Sequence, residues 1–170
     1  MNVILNLSPH NAATDDSVAY LQMHAYQGAV VLTGPPDADH LDAADVSKLA
    51  EVNVPHEKVA ITGHGTVDKC GGSAGTLFTA RDVSDILAKG GLHGPVEIEL
   101  YCCDTGMSGA PFALNLKVAL VQAHKIMCSV SAPTGWLSPD DKWDGSWTVE
   151  VADRVFKPAD KAFYRTTKCF

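Results

Sequence analysis

The residues best suited to carry out chemistry in this sequence are one histidine and two adjacent cysteines. His64 lies between Gly63 and Gly65, directly after an apolar run, and the pair Cys102-Cys103 follows another such run. An imidazole beside a thiol favours the thiolate, which can attack a carbonyl carbon. Gly65 would let the backbone approach a substrate closely, and its N–H and that of the reacting cysteine could bind the developing oxyanion. The spacing alone does not choose between the two cysteines.

The runs that precede these residues predict neighbouring strands of one sheet. Residues 58–62 lead into the histidine motif and residues 96–101 lead into the cysteine pair, and a helix with a capping box at Thr79-Ala-Arg-Asp82 lies between them. In a right-handed crossover the two strands are parallel and end at the same edge of the sheet. Binding and catalysis occur at that edge in sheets of this kind. We therefore expect His64 and the cysteine pair to meet there.

The rest of the chain continues the alternation of strand and helix signals. Predicted strands cover residues 3–7, 29–33, 58–62, 96–101 and 125–131, and predicted helices cover 17–26, 42–50, 79–90 and 112–124. This order predicts an α/β fold with a mostly parallel central sheet and helices on both faces. Two short runs around Asp144-Gly145 predict a C-terminal β-hairpin, with Trp143 and Trp147 on its arms. These two tryptophans and Trp136 could line a substrate cleft or pack the hairpin on the body. We predict a single domain over residues 1–170, with an α/β core in 1–135 and a flap hairpin and basic tail in 136–170.

Length, composition and charge exclude several classes of protein. A chain of 170 residues with 46% apolar residues can bury a sizeable core, which is not expected of a disordered protein. The net charge of −7 argues against a nucleic-acid binder. No apolar run reaches the ~18–20 residues that a membrane span needs, and the N-terminus lacks the basic region of a Sec signal peptide. We expect a protein that is cytoplasmic, or secreted without a Sec signal.

The charge is unevenly distributed along the chain. Residues 1–153 carry 8 basic and 19 acidic side chains, whereas residues 154–170 carry 5 basic and 1 acidic. A short basic tail of this kind is either a solvated surface segment or a weak anion-binding site. Its basic residues are Arg154, Lys157, Lys161, Arg165 and Lys168.

The five cysteines do not form a disulfide framework or a metal site in the sequence. Their number is odd and two of them are adjacent, which favours reduced thiols. There is no C-x-x-C or H-x-x-x-H pair, so we expect no metal. We expect Cys128, inside an apolar run, to be a core residue. We expect Cys70, in a glycine-rich loop, to be exposed and prone to oxidation.

Four segments carry a resemblance to a known family. Lys58–Gly65 resembles the histidine strand of the caspase-like (clan CD) cysteine peptidases, and Val96–Cys103 resembles their cysteine strand. The chain most resembles the self-cleaving cysteine protease domain of RTX and large clostridial toxins, because Ile126–Ala132 is similar to its next strand and Asp144–Trp147 to a turn of its flap hairpin. The resemblance implies a caspase-like sandwich and a cysteine endopeptidase that cleaves a peptide or protein substrate through an acyl-enzyme, without a metal or redox cofactor. It also implies a self-processing enzyme or a toxin or effector protease.

The resemblance assigns roles to individual residues. His64 is implied as the general base or ion-pair partner and Gly65 as part of the oxyanion hole. Cys103 is implied as the nucleophile, because the family has a small residue where Cys102 stands and strand alternation would direct Cys102 into packing. An upstream acidic residue orients the family's histidine, and Asp15 or Asp16 is the candidate here. The implied wall of the pocket for the residue before the scissile bond, which is apolar in the relatives, consists of Ser131, Ala132, Pro133 and Thr134.

The resemblance also raises the question of an activator. The toxin domains are activated by inositol hexakisphosphate bound in a basic pocket, and the basic tail of this chain lies in the corresponding region. The resemblance therefore implies inositol hexakisphosphate as an allosteric activator, although the five basic residues form a thinner cluster than such a site needs. The alternative function is a catalytically silent caspase-like module that binds a peptide or an anionic ligand. A thiol enzyme that acts on a small acyl group is a third hypothesis.

Overall fold

The chain is built around a six-stranded sheet. A computed structural model of the protein describes residues 1–54, 56–72, 78–107, 111–139, 147–152, 154–156 and 163–166. The strands of the sheet are β1 (Val3–Asn6), β2 (Val30–Thr33), β3 (Lys58–Thr62), β6 (Val96–Tyr101), β7 (Cys128–Pro133) and β11 (Phe163–Arg165). They lie in the order β11-β7-β6-β3-β1-β2, and all neighbouring strands are parallel except β11, which is antiparallel to β7. The predicted α/β fold with a mostly parallel central sheet is confirmed.

Successive side chains of the buried strands enter two different apolar layers. Val3 and Leu5 belong to the same core cluster as buried residues of α2 (Ala80–Lys89) and α3 (Phe112–His124). Ile4, between them, belongs to a second cluster with residues of α1 (Ala12–Met23). Helices therefore cover both faces of the sheet, as the alternation of strands and helices predicts.

The predicted capping residue is correct for one helix and wrong for another. The capping box predicted at Thr79 and Asp82 is present, since each side chain accepts the main-chain N–H of the other residue. The predicted start of α1 near Asp16 is wrong, because the Asn11 side chain caps the helix earlier by accepting the N–H groups of Ala13 and Thr14. The single helix predicted over residues 42–50 is also wrong. Two short 3₁₀ helices, Ala38–Ala43 and Ser47–Glu51, lie in this region instead.

The C-terminal part of the chain forms a second, smaller sheet. It is antiparallel with the order β10-β9-β8, and its strands are β8 (Trp136–Pro139), β9 (Trp147–Val151) and β10 (Arg154–Phe156). Trp147 packs on the body of the protein, with its ring centroid 4.9 Å from Tyr20 and 5.3 Å from Tyr101. Trp136 is 72% exposed. Trp143 and the predicted turn at residues 144–145 lie outside the described residues.

A third, two-stranded ladder lies between β3 and α2. It is formed by β4 (Lys69–Cys70) and β5 (Phe78–Thr79), which are antiparallel. The segment between β3 and β4 folds back on itself, so that Gly65 faces Cys70 across an antiparallel bridge. This fold-back determines the surroundings of the residue after His64.

Candidate active site

The carboxyl ends of β3 and β6 bring the histidine and cysteine motifs together. The last registered pair of these parallel strands is Thr62 opposite Tyr101, so His64 and Cys103 each lie two residues beyond it. The backbone of Gly65 is packed on that of Cys103: a Cβ atom at position 65 would lie 2.2 Å from the Cys103 carbonyl oxygen and 2.8 Å from its nitrogen. The two motifs therefore meet at one edge of the sheet, as the strand order predicts.

Hydrogen bonds of the main chain hold His64 in place and leave its side chain exposed. Its N–H donates to the Ser8 hydroxyl oxygen at 3.2 Å, and its carbonyl oxygen accepts the Gly71 N–H at 2.7 Å. Ser8 is only 1% exposed, which fixes the acceptor in the interior. The loop is thus anchored by its backbone, while the imidazole faces solvent where a substrate could reach it.

The Gly65 N–H takes no part in the short antiparallel ladder around it. Two hydrogen bonds flank the Gly65–Cys70 bridge, one from Gly71 N–H to His64 O at 2.7 Å and one from Thr66 N–H to Lys69 O at 2.9 Å. In an antiparallel ladder the residue pair between two such bonds exchanges no hydrogen bond of its own. This ladder therefore makes no use of the Gly65 N–H, although the backbone of Gly65 touches Cys103.

Cys103 is half-buried and its thiol contacts the second sheet. The Leu137 N–H donates to its Sγ at 3.4 Å, and the thiol lies 3.8 Å from the Leu137 carbonyl oxygen. Burial raises the pKa of the Cys103 thiol, and the neighbouring Asp104 carboxylate adds to the increase, while the N–H groups of Leu137 and of Cys103 itself oppose it. Among the described contacts the thiol forms no hydrogen bond with the His64 ring, and its raised pKa favours the protonated thiol.

Cys102 points into the core, as strand alternation predicts. It is 1% exposed, and its Sγ lies 2.9 Å from the Sγ of Cys70 and 3.6 Å from the Ile61 carbonyl oxygen. Burial raises the pKa of Cys102 well above the usual thiol range, and Cys70 raises it further. The expectation that Cys70 is exposed is wrong, because the short strand β4 turns its side chain inward to 0% exposure. Cys128 is a core residue, as predicted.

Two main-chain hydrogen bonds hold the turn after Cys103, and Asp104 makes both of them. Asp104 has a positive φ of 59°, its N–H donates to Gly135 O at 2.9 Å, and its carbonyl oxygen accepts the Met107 N–H at 3.0 Å. The described part of the chain shows no hydrogen bond or ion pair between His64 and either expected carboxylate, Asp15 or Asp16. Asp15 instead accepts a hydrogen bond from the Asn6 side chain at 3.1 Å.

The segment predicted to form a substrate pocket is mostly interior to the sheet. Ser131, Ala132 and Pro133 are buried in β7 and pair with β11. Thr134, the next residue, lines an apolar cavity of about 460 Å³. The other residues that line it are Gly106, Met107, Pro111, Leu114, Val151 and Tyr164. Sequence reasoning missed these residues and also Leu137, because they come from distant segments and carry no shared spacing.

The basic tail does not form a cluster in the described residues. Arg154 lies on β10 and Arg165 on β11, which belong to different sheets. Lys157, Lys161 and Lys168 lie outside the described residues.

Arg165 helps to line a cavity of about 240 Å³, together with Lys58 and two acidic residues, Glu97 and Glu99. The Lys58 Nζ lies 2.9 Å from Glu99 and 3.2 Å from Glu97, so the positive charge there is already paired. The two carboxylates beside the basic residues disfavour a polyanion in this cavity.

Within the described ranges no group of three or more His, Cys, Asp or Glu side chains is placed to hold a metal ion. None of the helices in those ranges is both long and apolar enough to cross a membrane. No protein-family model matches the chain, and no curated protein matches it.

Proposed function

We propose that the chain is a caspase-like cysteine endopeptidase in which His64 and Cys103 form the catalytic pair. The observation that carries the proposal is the packing of Gly65 on the Cys103 backbone at the carboxyl edge of β3 and β6. It holds a candidate nucleophile, a candidate base and an unused N–H donor within one small region. Peptide-bond hydrolysis by a thiol requires these three groups.

The proposed reaction begins with the protonated thiol of Cys103. His64 accepts its proton, and the thiolate attacks the carbonyl carbon of the scissile bond. The tetrahedral oxyanion accepts hydrogen bonds from the N–H groups of Gly65 and Cys103. As the C–N bond breaks, His64 gives its proton to the leaving amine. Water, deprotonated by His64, then attacks the thioester, which releases the carboxylic acid and restores the thiol.

The apolar cavity indicates the class of substrate. Gly106 and Met107, three and four residues after Cys103, line the cavity together with Thr134. A peptide with its carbonyl at Cys103 could place an apolar side chain there. We therefore propose a peptide substrate with an apolar residue on the N-terminal side of the cleaved bond. The exposed indole of Trp136, next to Leu137, is available to a second part of the peptide.

A second candidate function is a silent module that binds peptides without cleaving them. It is favoured by the state of Cys103, whose thiol contacts the Leu137 main chain and whose pKa is raised by burial. If His64 never takes the proton, the same apolar cavity would bind a peptide and release it unchanged. The two candidates differ only in the reactivity of one sulfur atom.

Labelling with a thiol-directed peptidyl electrophile tests the proposal. We expect a probe with leucine at its reactive end to label the wild-type chain at one site. Cys103→Ala should abolish labelling, His64→Ala should slow it strongly, and Cys102→Ala should leave it intact as the matched control. Labelling that survives Cys103→Ala but disappears in Cys102→Ala would assign the other cysteine. A wild-type chain that binds the peptide but is never labelled would support the silent module.

Hydrolysis assays then separate the peptidase from a thiol enzyme that acts on small acyl groups. An internally quenched peptide library with a varied residue before the scissile bond should be cleaved, with a preference for apolar residues. Cleavage of a small aryl ester without cleavage of any peptide would contradict the endopeptidase. In both assays Cys103→Ala is the negative control.

A further inference from the structure

The sulfur atoms of Cys70 and Cys102 lie in direct contact inside the protein. Their separation is 2.9 Å, and the two residues are 0% and 1% exposed. A disulfide bond is about 2.05 Å long. The two sulfurs therefore need to approach by less than about 1 Å to form one.

The main chain, rather than flexible side chains, produces this contact. Cys70 faces Gly65 across the antiparallel bridge, and the Gly65 backbone packs against Cys102 and Cys103. A Cβ atom at position 65 would lie 2.9 Å from the carbonyl carbon of Cys102. The two cysteines are thus held on either side of one glycine. Cys70 lies on β4, which pairs with β5, and Cys102 directly follows β6, which pairs with β3.

We propose that Cys70 and Cys102 are an oxidation site, at which a peroxide converts the two thiols into an intrachain disulfide. One sulfur, as thiolate, attacks a peroxide oxygen, which breaks the O–O bond and gives a sulfenic acid and hydroxide. The other sulfur then attacks the sulfenic sulfur, and the S–S bond forms as the S–O bond breaks. The two thiol protons end in water, and the two electrons lost by the sulfurs reduce hydrogen peroxide to two molecules of water.

The other described cysteines are placed less well for this reaction. The Cys103 thiol contacts Leu137, on the second sheet, and Cys128 lies in β7. The disulfide would fasten the strand that follows His64 to the end of β6 and leave the Cys103 thiol free. The inference does not depend on the proposed function, because it requires no reaction at Cys103.

Burial determines how fast the reaction should be. Neither sulfur has more than 1% exposure, so peroxide reaches them only when β4 opens away from the core. The half-buried Cys103 should therefore react with peroxide first. A Cys103→Ser variant removes this competing thiol and isolates the internal pair.

Peptide mapping of the full chain tests the proposal. Trypsin places Cys70 in peptide 70–81 and Cys102 with Cys103 in peptide 90–117, while Cys128 falls in peptide 126–142. After treatment with hydrogen peroxide, free thiols are blocked with iodoacetamide in denaturant and the digest is analysed without reduction. We expect peptide 70–81 linked to peptide 90–117 in both the wild type and Cys103→Ser. In Cys103→Ser the linked mass should be the sum of the two peptides less two hydrogen atoms, and in the wild type any oxygen added to Cys103 increases that mass. Dithiothreitol should separate them.

The variants at the pair itself complete the test. Cys70→Ser and Cys102→Ser should each lack the linked peptide, whereas Cys128→Ser should retain it. If a serine variant does not fold, the Cys103→Ser map alone decides, since peptide 90–117 then contains only one cysteine. A parallel wild-type sample shows when peroxide has completely oxidised Cys103. The proposal is overturned if, after the same treatment, Cys70 and Cys102 of Cys103→Ser are still fully alkylated by iodoacetamide. A link from either of them to Cys128 in place of the expected one would also overturn it.

Discussion

Replacement of Gly65 by alanine is the sharpest test of the candidate site. The new methyl group would lie 2.2 Å from Cys103 O and 2.8 Å from Cys103 N, and both atoms belong to the backbone. An unstrained contact needs about 3.5 Å, so the backbone at position 65 must move about 1 Å away from that of Cys103. Overpacking of this kind costs about 1–3 kcal/mol of stability. A misplacement of about 1 Å between reacting groups can cost about 100-fold in rate.

The assay combines urea unfolding with the rate at which the peptidyl electrophile labels Cys103. We expect Gly65→Ala to lower the free energy of unfolding by about 1–3 kcal/mol and the labelling rate by about 100-fold. Gly28→Ala is the matched control, because its φ of +72° strains an alanine but no atom lies within 4 Å of the new methyl group. It should cost about 1–2 kcal/mol and leave labelling unchanged. If Gly65→Ala labels at the wild-type rate, the reasoning about this contact is refuted.

Three further predictions concern single side chains. Burial and, to a smaller extent, the Asp104 carboxylate raise the pKa of Cys103, and Asp104→Asn removes the second cause. The rate at which iodoacetamide alkylates Cys103 should therefore reach half-maximum at a lower pH than in the wild type. An unchanged midpoint would contradict this. Glu99→Ala removes the acceptor of the Tyr26 and Tyr101 hydroxyls and leaves Lys58 with Glu97 alone, so it should lower stability to urea by about 1–3 kcal/mol, whereas exposed Glu51→Ala should change it by no more than about 0.5 kcal/mol. Thr79→Ala removes the capping box of α2 and should lower the free energy of unfolding by about 1 kcal/mol, and an unchanged urea midpoint would show that the cap is unimportant.

The sheet was the part of the fold most accessible to sequence reasoning. Strands β3 and β6 match their predicted ranges residue by residue. Each is an apolar-rich run, and Gly63 directly follows β3 while Pro95 directly precedes β6. In β6 every second residue is buried, which makes the strand recognisable although it contains Glu97 and Glu99. The side chains of these two residues pair with Lys58. The order of these strands was enough to predict that His64 and Cys103 leave the same edge.

The start of α1 was predicted less well because two residues compete as caps. Asn11 and Asp16 both have side chains that can accept an N–H, and the apolar positions of the helix begin only at Val18. Asn11 has the extended backbone of a cap, with φ of −110° and ψ of 122°. Local sequence does not reveal which acceptor adopts that conformation, since the choice depends on where the chain leaves β1.

The surroundings of the candidate nucleophile were beyond local sequence signals. Leu137 lies on β8 of the second sheet, 34 residues after Cys103 in the chain, and its N–H reaches the Cys103 sulfur. Cys70 belongs to a strand of two residues, which is too short to show a pattern of alternation, and its glycine-rich surroundings suggested exposure. Contacts between segments more than 30 residues apart set the environment in both cases.

The two adjacent cysteines differ in chemistry because the alternation of β6 continues past its end. Cys102 enters the core beside Cys70, whereas Cys103 faces the opposite side beside Leu137. Burial raises the pKa of both thiols, so neither is activated by a low pKa in the resting protein. Their reactions must therefore be determined by which partner can reach each sulfur. For Cys102 that partner is the sulfur already in contact with it, and for Cys103 the proposed function makes it a substrate carbonyl group brought to the edge of the sheet beside His64.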